Sequence, residues 1–285
     1  MARSQRRRLR VQLWSRPNQE MAPAPKPQIA AAFTAAAELY DAPPLRFFDY
    51  FGERTVAHAA LRPGEVVLDV CCGTGASALP GARAVAPGGR VIGVDLTPAM
   101  LALARAKAAA QGVANVEFRH ADFDQAYFRP ESFDAVICAF GLFFFPDMPA
   151  ALRKMWRFLR PGGRLLVTTW GAGAFEPAST LFLDALRQER PDLADDHIPR
   201  TRLSEPGGVE GVFAAAGIAH VETEAEDHDH TLASAEDWWT IVMGSAHRGR
   251  VDQLPPEQRE RVRQACLGLT ARALRMPVVY TVARR

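Results

Sequence analysis

The chain has 285 residues, 48% of them hydrophobic, with 34 Lys and Arg against 32 Asp and Glu, a formal net charge of +2 and four cysteines. That length and apolar content suffice for a sizeable core, which excludes the disordered and fibrous classes and favours one large α/β domain. No apolar run approaches the roughly 20 residues of a bilayer span. Four cysteines, two of them adjacent, do not make a secreted disulfide framework, so the expectation is a soluble, cytoplasmic protein.

The charge is unevenly placed. Residues 1–19 hold Arg3, Arg6, Arg7, Arg8, Arg10 and Arg16 and no acid, and the rest of the chain carries 28 basic against 32 acidic residues. Such a run suits a nucleic acid or anionic surface, a transit-type leader, or a disordered extension too polar to fold alone. With the Pro-rich stretch Pro23–Pro27 behind it, the last is expected for residues 1–27, with Met21 as an alternative start, and the folded domain is placed at 28–285. An Ala-rich helix is predicted from Gln28 to Leu39, stopped by Pro43 and Pro44. A second helix is predicted from Leu45 to Leu61.

The run Val66-Val67-Leu68-Asp69-Val70 then reads as a buried strand. It feeds the small-residue turn Cys71-Cys72-Gly73-Thr74-Gly75 and an Ala-rich helix, Ala76 to Ala86, with a kink expected at Pro80-Gly81. A strand, tight turn and helix N-terminus in this order cradle nucleotide-like ligands. The next strand, Val91-Ile92-Gly93-Val94, ends in Asp95, where an acid holds a ribose diol. Gly73-Thr74-Gly75-Ala76-Ser77-Ala78 also fits the dinucleotide fingerprint G-x-G-x-x-G/A, so a dehydrogenase has to be weighed. Asp69 argues against it, because a carboxylate beside a pyrophosphate repels it, whereas a cationic ligand is attracted. Thr97 and Pro98 open a helix from Ala99 to Gln111.

Three further segments follow in order. Asn115–Phe123 has the form of a third strand and its turn, Ser132–Gly141 of a fourth, and Leu159-Arg160-Pro161-Gly162-Gly163 of a turn into a fifth, Arg164–Val167. Taken with the first two strands, this series resembles a class I S-adenosylmethionine (SAM)-dependent methyltransferase. The loop Phe140-Gly141-Leu142-Phe143-Phe144-Phe145-Pro146-Asp147 is similar to that of the ubiquinone/menaquinone-biosynthesis-type small-molecule branch. The likeness covers residues 29–170 well and the rest loosely. It implies an α/β fold with a doubly wound, mostly parallel seven-stranded Rossmann-like sheet, N-terminal lid helices, and SAM as cofactor. SAM carries a sulfonium and an ammonium and no phosphate, which suits Asp69.

By the same resemblance the cofactor-binding residues are Tyr40, Asp69, Cys71, Gly73, Thr74, Gly75, Asp95, Leu96, Asp122, Phe123, Ala139 and Phe140. Asp122 is to meet the adenine amino group with Phe123 beside the ring, and Phe33 and Tyr40 match residue types of the lid. Cys71 departs from the family, which has glycine there. A side chain at that position disfavours φ > 0 and limits close approach to the ligand. Cys71 and Cys72 are expected to be small buried thiols rather than a redox or metal pair.

A helix, Pro149 to Leu159, precedes the fifth strand. The second half reads as a helix from Pro177 to Arg190, an irregular stretch to Pro206, a helix from Val209 to Ala216, and a sixth strand within Ile218–Thr231. The last strand, Val278–Ala283, resembles the family's closing antiparallel strand. Between them, Ser234–Met276 forms a helical cap: one helix capped by Ser234 and a second running from Pro256 to about Leu274. Phe143, Phe144, Trp170, Trp239 and Met243, together with Phe145 and Trp238, are candidates to wall an aromatic or polyketide-like acceptor.

Methyl transfer is an in-line displacement that asks chiefly for alignment and exclusion of water. A hydroxyl or carbon acid would also use a base, for which His is the natural type. His228 and His230 alternate with Asp227 and Asp229 on a predicted edge strand, and exposed alternation explains them better than a metal site. His247, in the cap, is the candidate base, and no metal is expected. The reading is methyl transfer from SAM to an oxygen or carbon of a quinone-, phenol- or polyketide-like acceptor. The alternative is a SAM-binding protein that methylates RNA or protein, or does not methylate. Ala139-Phe140-Gly141-Leu142 stands where nucleic-acid amino methyltransferases carry an Asn/Asp-Pro-Pro-Tyr/Phe turn, so no nucleic-acid partner is expected. Monomer and homodimer are both open.

Overall fold

The computed structural model describes residues 24–194, 203–204 and 207–285. The Arg-rich segment and most of the stretch between Pro191 and Pro206 lie outside the described residues.

Seven strands form one sheet: β1 (Val66–Val70), β2 (Arg90–Asp95), β3 (Val116–His120), β4 (Phe133–Ala139), β5 (Leu159–Trp170), β6 (Val221–Glu226) and β9 (Val278–Arg284). Their order is β3-β2-β1-β4-β5-β9-β6, with β9 antiparallel to both of its neighbours and the other pairs parallel. Strands buried on both faces read as continuous apolar runs, and their side chains alternate between two cores. Leu68, Val70, Val136 and Cys138 enter one core, and Val67, Ala135 and Ile137 the other. Because β1 pairs with β2 on one side and β4 on the other, the direction of strand succession reverses there. A crevice opens at the carboxyl ends of strands at such a switch point.

Helices α1 (Lys26–Tyr40) and α2 (Phe47–Ala59) precede the sheet. Helix α1 begins two residues before the predicted start, so Lys26 and Pro27, read as linker, form its first turn. Proline is tolerated there because the N–H it lacks has no intrahelical acceptor. The same physics removes the kink expected at Pro80, which falls in the first turn of α3 (Ala78–Ala84). Helices α4 (Pro98–Ala110), α5 (Met148–Phe158), α6 (Ala178–Glu189), α7 (Pro191–Ala194) and α8 (Gly208–Ala215) complete the flanking layers. No helix among the described residues is long and apolar enough to cross a membrane.

The predicted sixth strand divides in two. The main sheet takes β6, while β7 (Asp229–Thr231) pairs with β8 (Ala273–Arg275) in a separate ribbon. The break falls at Asp227-His228, where Arg275 holds Asp227 at 3.0 Å and Met276 N–H donates to the His228 carbonyl at 2.7 Å. His228 stacks on Tyr50 and His230 packs against Phe47, so the alternating pattern is ring packing rather than an exposed edge. The cap holds α9 (Ala235–Met243), opened by a Ser234–Asp237 capping box, α10 (Arg248–Val251) and α11 (Pro256–Leu267). Helix α11 stops at Gly268 instead of reaching Leu274, which is fully buried in β8.

Helix α2 lies directly on the turn after β1 because residue 52 is glycine. A Cβ on Gly52 would stand 2.1 Å from the Ala76 carbonyl oxygen, a backbone atom that cannot step aside. Gly52→Ala is therefore expected to lower stability by about 1–3 kcal/mol, measured as a reduced midpoint in urea unfolding.

Candidate active site

The turn that ends β1 requires positive φ at Gly73 (+53°) and Gly75 (+88°). It closes with the Gly75 N–H donating to the Cys72 carbonyl at 2.8 Å. Cys71 also adopts positive φ, +59°, despite its side chain. A left-handed conformation at a non-glycine residue costs roughly 1–2 kcal/mol, which the surrounding packing has to offset. Facing this turn, Asp95 at the end of β2 accepts Gly73 N–H at 2.9 Å on one oxygen and Thr97 N–H at 2.8 Å on the other. Burial raises its carboxyl above the ordinary range, and the two backbone donors oppose that shift.

A cavity opens above these groups. It brings together Tyr40, Cys71, Gly73, Thr74, Asp95, Leu96, Asp122, Phe123, Ala139 and Phe140. Tyr40 stacks on Phe48 at 4.9 Å, and Phe140, itself at φ +53°, stacks on Trp170 at 4.1 Å. Two predicted contacts are not there. Gly75 is outside the lining: a Cβ there would meet Leu79 and Phe118, and its backbone shapes the turn. Asp69 points to the opposite face of β1, where it is 1% exposed, and its Oδ2 accepts the Ser77 hydroxyl at 2.7 Å. Alternation along the strand makes this unavoidable, since Leu68 and Val70 occupy the other face.

Much of the cavity wall is aromatic. Phe47, Phe48, Trp170 and Phe175 join Phe143, Phe144 and Phe145 in its wall. From the cap come Trp238, Ile241, Ser245, Ala246 and His247, the last packed against Phe182 at 5.0 Å. Trp239 and Met243 are outside the lining. Helix α9 buries Trp238, Ile241 and Val242, an i, i+3, i+4 stripe, and turns Trp239 and Met243 to its flank.

Sequence reasoning missed several residues. Lys26 lines the cavity and pairs with Asp122 at 2.6 Å and Asp124 at 2.5 Å, yet its Pro-rich surroundings read as a linker. Lys107 of α4 donates to Asp41 and Thr74, both at 2.9 Å, which ties the end of α1 to the turn. No local motif marks either lysine; only the helical periodicity of α4 places Lys107 on a definite face.

Of the two carboxyl groups nearest the turn, Asp95 lines the cavity, whereas Asp69 lies behind the turn with Oδ1 buried and without a hydrogen-bond partner among the described residues. Burial, opposed by the Ser77 hydrogen bond, pushes the Asp69 carboxyl up to about 7. A dinucleotide pyrophosphate at the turn would bring further negative charge beside the desolvated Asp95 carboxyl, which a sulfonium or ammonium does not.

Comparison with known proteins agrees. Residues 67–163 match the profile of a methyltransferase domain. The chain is 31% identical to nocamycin O-methyltransferase of Saccharothrix syringae over 263 residues, 87% of this chain and 93% of that protein. This chain belongs to the class I SAM-dependent methyltransferases. It is also 38% identical over 129 residues to the ubiquinone/menaquinone biosynthesis C-methyltransferase UbiE of a Marinomonas species, covering 45% of this chain and 51% of that one. The YcgJ protein of Bacillus subtilis shares the fold with a TM-score of 0.57 at 21% identity, over 83% of this chain and 98% of that one. The methyltransferase uses SAM as its cofactor.

The elevated Asp69 carboxyl makes a testable difference to stability. Its folded value, about 7, lies above the ordinary 3.8. The native state thus holds that proton more tightly, and the stability this provides is complete below pH 4 and lost as pH rises through 7. Asp69→Asn keeps an acceptor for Ser77 but cannot ionise. The variant is expected to gain on wild type by up to about 4 kcal/mol between pH 4 and pH 8, read from urea unfolding at both ends of that range.

Proposed function

We propose that this methyltransferase transfers a methyl group from SAM to an oxygen or carbon of a small, apolar, aromatic acceptor of the quinone, phenol or polyketide type. The observation that carries this reading is the aromatic wall of the cavity. Phe47, Phe48, Trp170, Phe175 and Trp238 form it, and the cap adds the polar side chains of Ser245 and His247. Flat apolar rings gain most from such a wall, through burial and through edge and face contacts. The nocamycin O-methyltransferase and the UbiE C-methyltransferase support the same acceptor atoms by their names.

SAM supplies an electrophilic methyl group on a positively charged sulfur. The chain's own residues bind, align and dry the site. Asp95 receives the ribose hydroxyls on oxygens already oriented by Gly73 and Thr97. Asp122 accepts from the adenine amino group, with Phe123 beside it. Tyr40, Cys71, Thr74, Leu96, Ala139 and Phe140 enclose the methionine part and the sugar. The cap helix α9 and the aromatic wall exclude water from the line of attack, where positioning contributes most of the rate. His247 takes the proton of a hydroxyl acceptor as the oxygen becomes nucleophilic.

The direct test is transfer of labelled methyl from SAM to a panel of phenols, hydroquinones and hydroxylated polycyclic ketones. Turnover of one of these classes supports the reading, and transfer only to RNA or peptide overturns it. On a hydroxyl acceptor, His247→Ala should lower kcat by about 10²–10⁴-fold with SAM affinity unchanged. Asp95→Ala should weaken SAM binding by about 1.5–3 kcal/mol, through loss of hydrogen bonds to a charged group, as measured by calorimetric titration.

A further inference from the structure

Helix α1 is tied down at both ends by ion pairs, and one of them involves the acid expected at the adenine. At its start, Lys26 Nζ donates to Asp122 Oδ1 at 2.6 Å and to Asp124 Oδ2 at 2.5 Å. The Asp124 N–H donates to the same Asp122 oxygen at 3.0 Å. Oδ1 is thus occupied twice, whereas Oδ2 receives no hydrogen bond among the described residues. A second lysine, Lys154 of α5, donates to the Phe123 and Asp124 carbonyls at 2.7 and 2.8 Å. The loop is therefore held by its carbonyls from one side and by its carboxylates from the other. At the other end of α1, Asp41 accepts from Thr74 at 2.8 Å and from Lys107 at 2.9 Å.

We propose that Lys26 is a positioning residue for adenine recognition: from the lid it commits one oxygen of Asp122 to the protein and leaves the other, oriented, for the exocyclic amino group of the base. This rests on the reading that Asp122 meets the adenine. Lys26 and Asp122 are both partly exposed, with side-chain exposures of 26% and 23%, so the attraction itself is modest. Its consequence is geometric. A carboxylate fixed in one rotamer gives up no further entropy when the base arrives, and its free oxygen has only lone pairs to offer. An amino group is accepted there, and a carbonyl in the same place is repelled. Because the lysine is on α1, the pair also closes the lid over the base it selects.

The experiment uses the full-length protein, with S-adenosylhomocysteine and its deaminated analogue, S-inosylhomocysteine, in which a carbonyl replaces the amino group. Affinity is measured by calorimetric titration and release by stopped flow. Lys26→Met is expected to weaken the adenosyl ligand about tenfold, mostly through faster release, and the inosyl ligand by about two-fold or less. The preference for adenine shrinks accordingly, and Lys26→Arg restores it. Equal weakening of both ligands, with preference intact, overturns the proposal, because a lid contact alone would do that. Unchanged binding in Lys26→Met overturns it as well. Asp122→Asn separates the two levels of the argument: if it leaves the preference intact, the assignment of Asp122 to the adenine fails, whatever Lys26 does. Thermal unfolding of each variant establishes that the differences arise in folded protein, and Lys26→Arg keeps the test decisive if the methionine variant is unstable.

Discussion

The carboxylate of Asp95 ties the turn after β1 to the head of α4, extending past its end the pairing of β1 with β2 and the Cys72 N–H bond to the Val94 carbonyl. One oxygen receives the N–H of Gly73 in the turn after β1, and the other the N–H of Thr97 at the head of α4. Charge-assisted bonds of this kind are about twice as strong as neutral ones, and burial leaves the carboxylate few alternatives. The position of the turn, and with it the floor of the cleft, follows from this bridge. Helix α2 can then lie on the turn at Gly52, and α1 can anchor to Thr74 through Asp41 and Lys107.

The cleft is consequently assembled from three directions. The sheet provides a rigid floor in which each strand end delivers one element: the turn from β1, Asp95 from β2, Asp122 from β3 and Phe140 from β4. The lid, α1, contributes Lys26, Phe33 and Tyr40. The cap contributes Trp238, Ile241 and His247, and its helices α9 and α10 pack against α1. The strand ends thus supply the floor of the cavity, and the lid and cap helices its roof and wall.

The sheet was legible in the sequence because buried parallel strands are short apolar runs with turn chemistry at their ends. Asp69, Asp95 and Asp122 stood out for the same reason, as carboxylates at or near strand ends. What the strand pattern does not convey is which face a residue takes once the twist and register are set. Asp69 therefore reads as a ligand contact although it lies behind the turn. Helix phase had the same effect in the cap, where Trp238 rather than Trp239 reaches the cavity. Long-range pairing is the other gap. Arg275 and Met276 divide the predicted sixth strand at Asp227-His228 from some 48 residues away. Lys26 reaches Asp122 across 96 residues, from a segment whose composition suggests no structure at all.

Helix α1 roofs the cavity on one face and supports the cap on another. Its Phe33 also packs against Phe144 at 5.5 Å, joining it to the loop after β4. Roof and wall are therefore mechanically one part: a displacement of α1 uncovers the cavity and unseats the cap in the same movement.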